Sequence, residues 1–566
     1  MLYQDDRHVI AADRQLPGLE LLLNNDAALD LFAESSATRH LLPMRVVCNY
    51  LRYKPGENCL GAYTLFTPEG RRYAALRTYG ASGADKLEKA ASWTSPLSAE
   101  LRPDVCRRWQ TAVWPFPLDS RLKALPELAD VETRDALLAR IAAHRPEWQG
   151  ASLECLRFKP LRRFVGRLHR DGAALACVKM HTAHRYEQIR RTSKVASHWS
   201  CAAATQVIAR SSRRRLLVTD WIDGAPLVEF LDDSNAAQQW GPSLGAVLAE
   251  LHANSTSRLP HRDAVDHLRE VRRVVDDLAA WAPALGALAE AALRGAAEFA
   301  VPSQAKLVNT HGDLHAGQFL LADHPILIDF DNVRLSLRES DLGNLFAHLH
   351  AAELQREIER DEAIAWRELI VAGYEEASHV HLNRARLDAY TALGLLRLSP
   401  EPFRTRCPHW RRRTRQLLER ASEIGDSSRR TSVAPASPLT TPPNSPARPT
   451  AFAAPAASAD STSPRGFELV AQALDRNLID NQVLPLAAAA FADDSLEPVD
   501  ARIVREKPGR RWLIAYDFRS GRRGCEHRVL GKIHVKPRHL EAFLRQRELW
   551  SAGFDEASHD KISTPR

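Results

Sequence analysis

The stretch NTHGDLHAGQFLLADHPILIDFDN, residues 309–332, places four Asp and three His in a segment that is otherwise mostly apolar. Inside it, FLL at 319–321 and ILI at 326–328 are short apolar runs, and the residues between them, ADHP, have the composition of a turn. Two such runs joined by a turn are predicted to pair as a β-hairpin. Most of the ionisable residues then lie at one end of this hairpin.

These polar residues have the chemistry of a phosphoryl-transfer site. The loop before the first strand holds His311, Asp313 and Gln318. Asp329 follows the second strand directly. An Asp that accepts a hydroxyl proton, an amide oxygen five residues later and a second Asp after a hairpin supply a base and oxygen ligands for Mg²⁺. The motif therefore indicates transfer of a phosphoryl group.

The size and composition of the chain fit a soluble protein of several domains. Its 566 residues exceed what one hydrophobic core usually organises, so we expect about two to four domains. No apolar run approaches the roughly 20 residues that span a bilayer. The N-terminal residues MLYQDDRHVIAADRQLPG lack the basic start and apolar core of a secretory signal. The expected location is the cytoplasm, with no membrane partner.

The cysteines and the net charge give no sign of a structural metal or a nucleic acid. The eight Cys include no CxxC pair, which fits isolated reduced thiols. The net charge of +7 would suit nucleic acid, but it is spread over short Arg clusters such as RSSRRRL at 210–216 and WRRRTR at 410–415. Neither cluster carries the interleaved aromatic residues of a single-strand binding groove. A solvated basic surface is the favoured interpretation.

Changes in composition divide the chain into four parts. Residues 426–465 are dominated by Ser, Thr, Pro and Ala without apolar periodicity, which is typical of a disordered linker. The predicted parts are 1–150, 151–425, the linker 426–465, and 466–566.

An internal repeat links these parts. Three segments, starting at residues 51, 156 and 503, share a Lys-Pro at a strand end, a strand, a turn at Gly or Asp-Gly, and a returning strand. The returning strands carry a basic residue at matching positions: Arg77, Lys179 and Lys532. Chance similarity between hairpins is the alternative, and the joint recurrence of the Lys-Pro and the basic residue disfavours it.

Only the middle copy continues into a further lobe. LLVTDWIDGAPL at 216–227 reads as a strand that runs into a turn. In PSLGAVLAELH, apolar residues recur at i, i+3, i+4 and i+7, the pattern of an amphipathic helix, at Leu244, Val247, Leu248 and Leu251. A small antiparallel sheet followed by a mostly helical lobe is an α+β arrangement.

The combined pattern HGDLHxxQxLL, LIDFD and DLGNL (341–345) resembles the aminoglycoside phosphotransferase and choline kinase family, over roughly residues 150–425. The resemblance implies a protein-kinase-like two-lobe fold, here flanked by additional N-lobe-like half-domains at 1–150 and 466–566. The family usually has Asn where this chain has Gln318, and maltokinases resemble this chain in having Gln there. This departure leans toward a carbohydrate acceptor.

The resemblance also implies roles for individual residues. Asp313 matches the catalytic Asp, and His311 would brace its loop. Asp329 and Gln318 would hold Mg²⁺. Lys179 matches the lysine that contacts the nucleotide phosphates, and Glu187 is the nearby acid available to pair with it. The backbone of Asp220, Trp221 and Ile222 would bind adenine. Asp331 is placed near the acceptor or a second metal, and Asp341 matches a structural acid.

Three functions remain open on the sequence alone. The leading one is an ATP- and Mg²⁺-dependent kinase for a hydroxyl of a small metabolite, with sugars and amino alcohols as candidates. The second is a pseudokinase or scaffold whose half-lobes dock a protein partner or a second copy. The third, nucleic-acid binding, predicts a steep loss of affinity with salt. Acids on later helices would suit a cationic acceptor, namely Glu353, Glu357, Asp361, Glu368, Glu375 and Glu376.

Overall fold

The computed structural model describes residues 2–95, 101–199, 201, 205–254, 258–302, 306–432, 474–476, 479–491, 493–507, 511–522, 524 and 526–534. The chain divides into two compact units, residues 1–438 and 439–566. Residues 433–465 of the predicted linker lie outside the described residues, whereas residues 426–432 belong to the last helix of the first unit.

The strands of the first unit are β1 Arg45–Lys54, β2 Asn58–Thr67, β3 Gly70–Tyr79, β4 Asp104–Cys106, β5 Thr111–Pro115, β6 Ser152–Lys159, β7 Arg163–Arg170, β8 Ala173–His181, β9 Val207–Ser211, β10 Leu216–Asp220, β11 Ala225–Pro226, β12 Val308–Thr310, β13 Phe319–Leu321, β14 Pro325–Leu327 and β15 Arg334–Ser336. Its helices are α1 Asp6–Ala12, α2 Leu19–Leu23, α3 Asn25–Glu34, α4 Ala84–Ala91, α5 Leu125–Ala129, α6 Val131–Ile141, α7 Ala183–Ala196, α8 Ser234–Ala253, α9 Ala264–Trp281, α10 Pro283–Ala300, α11 Arg338–Gln355, α12 Arg360–Ser378, α13 Arg384–Leu398, α14 Glu401–Arg404 and α15 Trp410–Ser432.

The first unit contains two five-stranded antiparallel sheets built on one plan. The first sheet has the order β1-β2-β3-β5-β4, and the second has the order β6-β7-β8-β10-β9. A helix lies between the third and fourth strands of each, α4 in the first and α7 in the second. The turn between β7 and β8 is Asp171-Gly172, and both residues have positive φ (50° and 82°). Asp-Gly is favoured in tight hairpin turns because it adopts this conformation readily.

The strand register aligns the repeats residue by residue. In the first sheet, Asn58 pairs with both Lys54 and Tyr79. In the second, Arg163 pairs with both Lys159 and His181. Arg77 and Lys179 each lie two residues before the returning partner, so they occupy equivalent positions.

The second unit is described for parts of residues 474–534. It contains α16 (Leu484–Phe491) and a three-stranded antiparallel sheet of β16 (Leu496–Lys507), β17 (Arg511–Ser520) and β18 (Glu526–His534). Arg511 pairs with both Lys507 and His534, so Lys532 has the same register position as Lys179. The four-part division of the chain stays a prediction.

The two faces of each sheet pack against different partners. In the first sheet, Leu60, Ala75 and Tyr79 pack against Leu87 and Ala90 of α4. The opposite face joins a core shared with helices α9, α10, α13 and α15.

The second sheet repeats this arrangement. Phe164 and Val178 pack against Leu137 of α6, while Leu217 on the other face packs against Tyr186 and Ile189 of α7. Lys179 pairs across the strands with Leu217, so it lies on the α7 face.

The helical lobe follows the second sheet, as the α+β interpretation predicts. The predicted stripe on α8 is confirmed, since Leu244, Leu248 and Leu251 are fully buried. At Gly245 a Cβ would lie 2.2 Å from the carbonyl oxygen of Ile370, so the close packing of α8 on α12 requires glycine there. Within the described residues, none of the helices combines the length and apolar character that a bilayer crossing needs.

Candidate functional site

The opening motif folds as its pattern predicts. Phe319 pairs with Leu327 and Leu321 pairs with Pro325, so β13 and β14 form the hairpin. The second strand is displaced by one residue from the apolar run, because Pro325 takes the first ladder position and Ile328 ends outside the strand. The loop that precedes β13, residues 311–318, is called the catalytic loop below.

Asp341 at the start of α11 holds the catalytic loop. Its carboxylate oxygens accept the backbone N–H groups of His311 at 2.6 Å and Gly312 at 2.8 Å, and His252 Nε2 lies 3.3 Å away. Gly312 has φ +79°, and a Cβ there would lie 2.3 Å from the carbonyl oxygen of Asn332, so the loop can pass only with glycine. Although burial opposes ionisation, the hydrogen bond and charge of His252 lower the pKa of Asp341.

His311 connects the catalytic loop to the hairpin. Its side chain is fully buried, and its Nε2 lies 2.9 Å from the carbonyl oxygen of Ile328. Ile328 immediately precedes Asp329, so His311 couples the backbone positions of the two acids. This contact agrees with the bracing role that the resemblance implies.

Asp313 points toward solvent beside a cation from the helical lobe. Its side chain is 41% exposed, and Arg397 Nη2 on α13 lies 3.7 Å from Oδ1. Burial of the surrounding loop acts to raise its pKa, but Arg397 and the imidazoles of His315 and His311 outweigh this and lower the pKa. Asp313 is therefore an ionised and reachable carboxylate.

Asp329 closes an ion pair with Lys179 of β8. Asp329 has φ +65°, a left-handed conformation that a non-glycine residue rarely adopts outside functional or tightly constrained positions. Its Oδ1 contacts Lys179 Nζ, and Arg163 Nη1 lies 3.8 Å from Oδ2. Burial acts to raise the pKa of Asp329, but the charges of Lys179 and Arg163 lower it far below its usual range.

Asp331 is the deeper acid of the same cluster. Lys179 Nζ lies 3.2 Å from its Oδ1, and Arg163 lies 4.0 Å from its Oδ2. His181 Nε2 lies 3.8 Å away, beyond hydrogen-bond distance. Burial and the neighbouring Asp329 raise the pKa of Asp331. Lys179 therefore faces two carboxylates, with Arg163 as a second cation.

Gln318 lies beside Asp329 through the hairpin. The carbonyl oxygen of Gln318 accepts the N–H of Ile328 at 2.9 Å. Its side-chain amide lies 3.2 Å from His315 Nε2, and His315 Nδ1 accepts the N–H of Gly317 at 3.1 Å. A neutral His315 then carries its proton on Nε2, and turning the Gln318 amide by 180° would bring its oxygen, instead of its Nε2, to this proton as an acceptor. An amide oxygen and a carboxylate are ligand types that suit Mg²⁺, so the hypothesis that Gln318 and Asp329 hold this ion stays a prediction.

Glu187 does not pair with Lys179, contrary to the sequence expectation. Its carboxylate is 51% exposed and contacts Arg190 at 3.0 Å. Arg185 lies on the side of α7 that faces the site, where it donates to the side-chain oxygen of Asn332. Two residues correspond to about 200° of helical rotation, so Glu187 points away when Arg185 points in.

Asp220, Trp221 and Ile222 lie at the end of β10 and directly after it. Asp220 ends β10 and forms an ion pair with Arg145 at 2.9 Å. The N–H of Trp221 donates to the carbonyl oxygen of Leu175 at 3.3 Å, so the strand pairing continues one residue further. The segment connects the second sheet to the helical lobe, and its binding of adenine stays a prediction.

Sequence reasoning missed the cations around the acids. Arg163, Arg185 and Arg397 come from β7, α7 and α13, and no motif marks them. The available signal for Arg163 was its place directly after the Lys-Pro turn of the repeat. Two acids proposed for a cationic acceptor are already paired: Glu353 with Arg420 at 2.7 Å, and Glu375 with Arg384 at 3.2 Å.

Comparisons with known proteins find one family model and several solved structures that are similar to part of this chain. Residues 155–390 match the model of the family described as phosphotransferase enzyme family. A choline kinase structure from Cryptosporidium parvum Iowa II is similar at 12% identity and a TM-score of 0.41, over 54% of this chain and 98% of that one. No curated protein matches the chain.

Two further phosphotransferases are also among the similar structures. A macrolide 2'-phosphotransferase from Brachybacterium faecium has 20% identity and a TM-score of 0.34, over 50% of this chain and 98% of that one. An aminoglycoside phosphotransferase from Streptomyces rimosus has 18% identity and a TM-score of 0.33, over 46% of this chain and 97% of that one.

A five-stranded antiparallel lobe followed by a helical lobe, with acids on a loop and after a hairpin, defines the protein-kinase-like class. Within that class, residues 155–390 match the model of the phosphotransferase enzyme family. The resemblance of the sequence motifs to this family is therefore confirmed. The finer similarity to maltokinases stays a prediction.

Proposed function

We propose that this chain is an ATP- and Mg²⁺-dependent kinase that phosphorylates a hydroxyl group of a small metabolite. The observation that supports this proposal most is the arrangement of three charged residues. Asp313 lies on the catalytic loop, Asp329 lies at the end of the hairpin, and Lys179 lies on the second sheet. Asp313 is reachable from solvent, while the other two form a buried charge cluster. This is the division between an acceptor side and a phosphate side that phosphoryl transfer needs.

In the proposed reaction, the acceptor oxygen forms a bond to the γ-phosphorus while the bond from that phosphorus to the bridging oxygen of ADP breaks. Asp313 orients the acceptor hydroxyl and accepts its proton. Lys179 and Arg163 offset the negative charge of the phosphates. Such a site acts mainly by positioning and charge neutralisation, because little covalent chemistry is required of the protein.

Asp329 and Gln318 would hold Mg²⁺, which would offset the negative charge of the nucleotide phosphates. The proposed binding residues for adenine are Asp220 to Ile222, next to the end of β10. Lys179 contacts Asp329 directly in this structure, so nucleotide and metal would have to share these charges. Lys179 could exchange its contact with Asp329 for one with a nucleotide phosphate, because Asp331 also lies within reach of its ammonium group.

The charges near Asp313 favour a neutral acceptor such as a sugar. Arg397 lies 3.7 Å from the carboxylate, and Arg157 on β6 also interacts with Asp313 and Asp329. A polycationic aminoglycoside would be repelled by these side chains. Glu353 and Glu375, which would have attracted it, are already bonded to arginines.

The direct test is acceptor-stimulated ATP turnover with Mg²⁺ and a panel of sugars, amino alcohols and aminoglycosides. Asp313→Ala should abolish the stimulated turnover. Asp323→Ala is the matched control, because Asp323 is an exposed Asp in the turn of the same motif. Stimulation that survives in Asp313→Ala, or is lost equally in Asp323→Ala, would contradict the assigned role.

A pseudokinase or scaffold is the second candidate, and two observations favour it. Lys179 is already paired with Asp329, and the residue of α7 that faces the site is Arg185 and not an acid. The flanking half-lobes would then serve to dock a protein partner. In that case the chain shows no turnover with any acceptor, while Asp313→Ala leaves nucleotide affinity unchanged.

A further inference from the structure

The turn between β6 and β7, Lys159 to Arg163, is held by the first lobe, defined as β1–β5, α4 and residues 116–122. In protein kinases the corresponding turn covers the nucleotide phosphates and is rich in glycine. Here its sequence is KPLRR, without glycine. Leu161 nevertheless has φ +62°, a conformation that costs a leucine energy unless its surroundings hold it.

The surroundings that hold Leu161 come from the first lobe. Its side chain is only 8% exposed and packs in one cluster with Leu60, Tyr79 and Trp114. Its N–H donates to Asp119 Oδ2 at 2.6 Å, and Asp119 is itself 3% exposed. The other oxygen of Asp119 accepts two N–H groups of its own loop.

The strands on both sides of the turn are held as well. Phe116 of the first lobe packs against Phe158 and Phe164, with ring centroids 5.4 and 5.9 Å apart. Lys159 Nζ lies 5.0 Å from the ring centroid of Tyr50, a cation–π contact. The turn is therefore fixed at its tip and at both flanks.

The β6–β7 turn packs on one face of the first sheet. This face is equivalent to the face of the second sheet that carries Lys179. Arg77 has the register position of Lys179, yet it lines a cavity of about 20 Å³ together with Tyr79 and Leu161. Small-molecule sites usually measure about 300–1,000 Å³. The first lobe thus uses this face to bind its own chain, and no room is left there for a nucleotide.

We propose that the first lobe sets nucleotide affinity by holding the β6–β7 turn in place, and we call this arrangement a clamp. Asp119 accepts the backbone N–H of Leu161, and the side chain of Leu161 packs in the apolar cluster of the first lobe. The link to the site is direct, because the turn ends at Arg163, which lies 3.8 Å from Asp329 and 4.0 Å from Asp331. A rigid clamp replaces the flexible glycines that other kinases use. The proposal rests on the proposed function for its effect on nucleotide binding, but not for the holding of the turn.

The test compares Asp119→Asn and Leu161→Ala with two controls in the full chain. Asparagine can keep the oxygen that serves Arg121 and Leu122 while turning an NH₂ group toward the N–H of Leu161. Asp130→Asn is its control, since Asp130 caps α6 through Thr133 without touching the turn. Leu87→Ala controls for Leu161→Ala, because it removes a buried leucine from the same cluster.

The first readout is amide hydrogen exchange in peptides that cover residues 159–163. Exchange should accelerate at least about tenfold in the two clamp variants, the ratio that corresponds to ~1.4 kcal/mol, and not in the two controls. Unchanged exchange in both clamp variants, or equal acceleration in the controls, would show that Asp119 and Leu161 do not specifically hold the turn.

The second readout is the dissociation constant of ATP with Mg²⁺, by calorimetry. It should rise about five- to tenfold in the clamp variants, and in an active enzyme KM for ATP should rise likewise while KM for the acceptor stays within about twofold. Faster exchange without a change in ATP affinity overturns the proposal. If the wild-type chain binds no nucleotide, the proposed function fails instead, and exchange alone decides whether the turn is clamped.

Discussion

Asp341→Asn should destabilise the protein without touching the reacting groups. Asp341 is 1% exposed and accepts the N–H groups of His311 and Gly312 on its two oxygens. Asparagine keeps the shape and one acceptor but turns an NH₂ group toward the second N–H. The loss of one charge-assisted hydrogen bond, with a buried donor left unpaired, predicts a decrease of about 2–4 kcal/mol in the free energy of unfolding.

The assay is urea unfolding at pH 7, followed by circular dichroism at 222 nm because the lobe around Asp341 is mostly helical. Asp323→Asn, in the exposed hairpin turn, is the control and should change the free energy by less than about 0.5 kcal/mol. Because the folded pKa of Asp341 is lowered, its contribution is present above the unfolded pKa of about 3.9 and is lost as the pH falls through the folded value. The difference between wild type and Asp341→Asn should therefore narrow below about pH 4.

Two results would refute this reasoning. One is a loss below about 0.5 kcal/mol at pH 7, which would mean that solvent or another group replaces the carboxylate. The other is an equal loss in Asp323→Asn, which would mean that any amide in the motif has the same effect.

Three further predictions concern charge. Lys179→Met removes the cation that contacts both Asp329 and Asp331, so the free energy of unfolding should fall by about 3–5 kcal/mol. Asp331→Asn in the same chain should recover part of this loss, and strictly additive losses in urea unfolding would contradict the coupling. Arg397→Leu should raise the pKa of Asp313, because it removes the cation that lowers this pKa, and should move the acidic limb of the pH–rate profile to higher pH; an unmoved limb would contradict an interaction between the two side chains. Burial lowers the pKa of His181 to about 3, of His267 to about 2 and of His350 to about 4. These folded pKa values lie below the unfolded value near 6.5, so the stability that is present above pH 6.5 is lost as the pH falls. For the three histidines together, the free energy of unfolding should fall by up to about 4 kcal/mol per pH unit near pH 5. A free energy of unfolding that stays constant from pH 7 to 5 would refute this.

The sequence by itself determined the features that depend on neighbouring residues. The apolar runs of the 309–332 motif and the turn between them were enough to predict the hairpin, because strand pairing across a short turn is local. The three Lys-Pro segments predicted equivalent strands, and the register of Arg77 and Lys179 confirms this for the first two. The stripe on α8 likewise follows from helical periodicity.

The tertiary structure alone decided which side chains meet. Lys179 and Asp329 lie 150 residues apart, and Glu187 was the nearer acid in sequence, yet the rotation of α7 turns Glu187 outward and Arg185 inward. Asp119 and Leu161 carry no motif, and their contact exists because the first lobe covers the β6–β7 turn. Contacts of this kind depend on how whole lobes pack, so a local pattern cannot specify them.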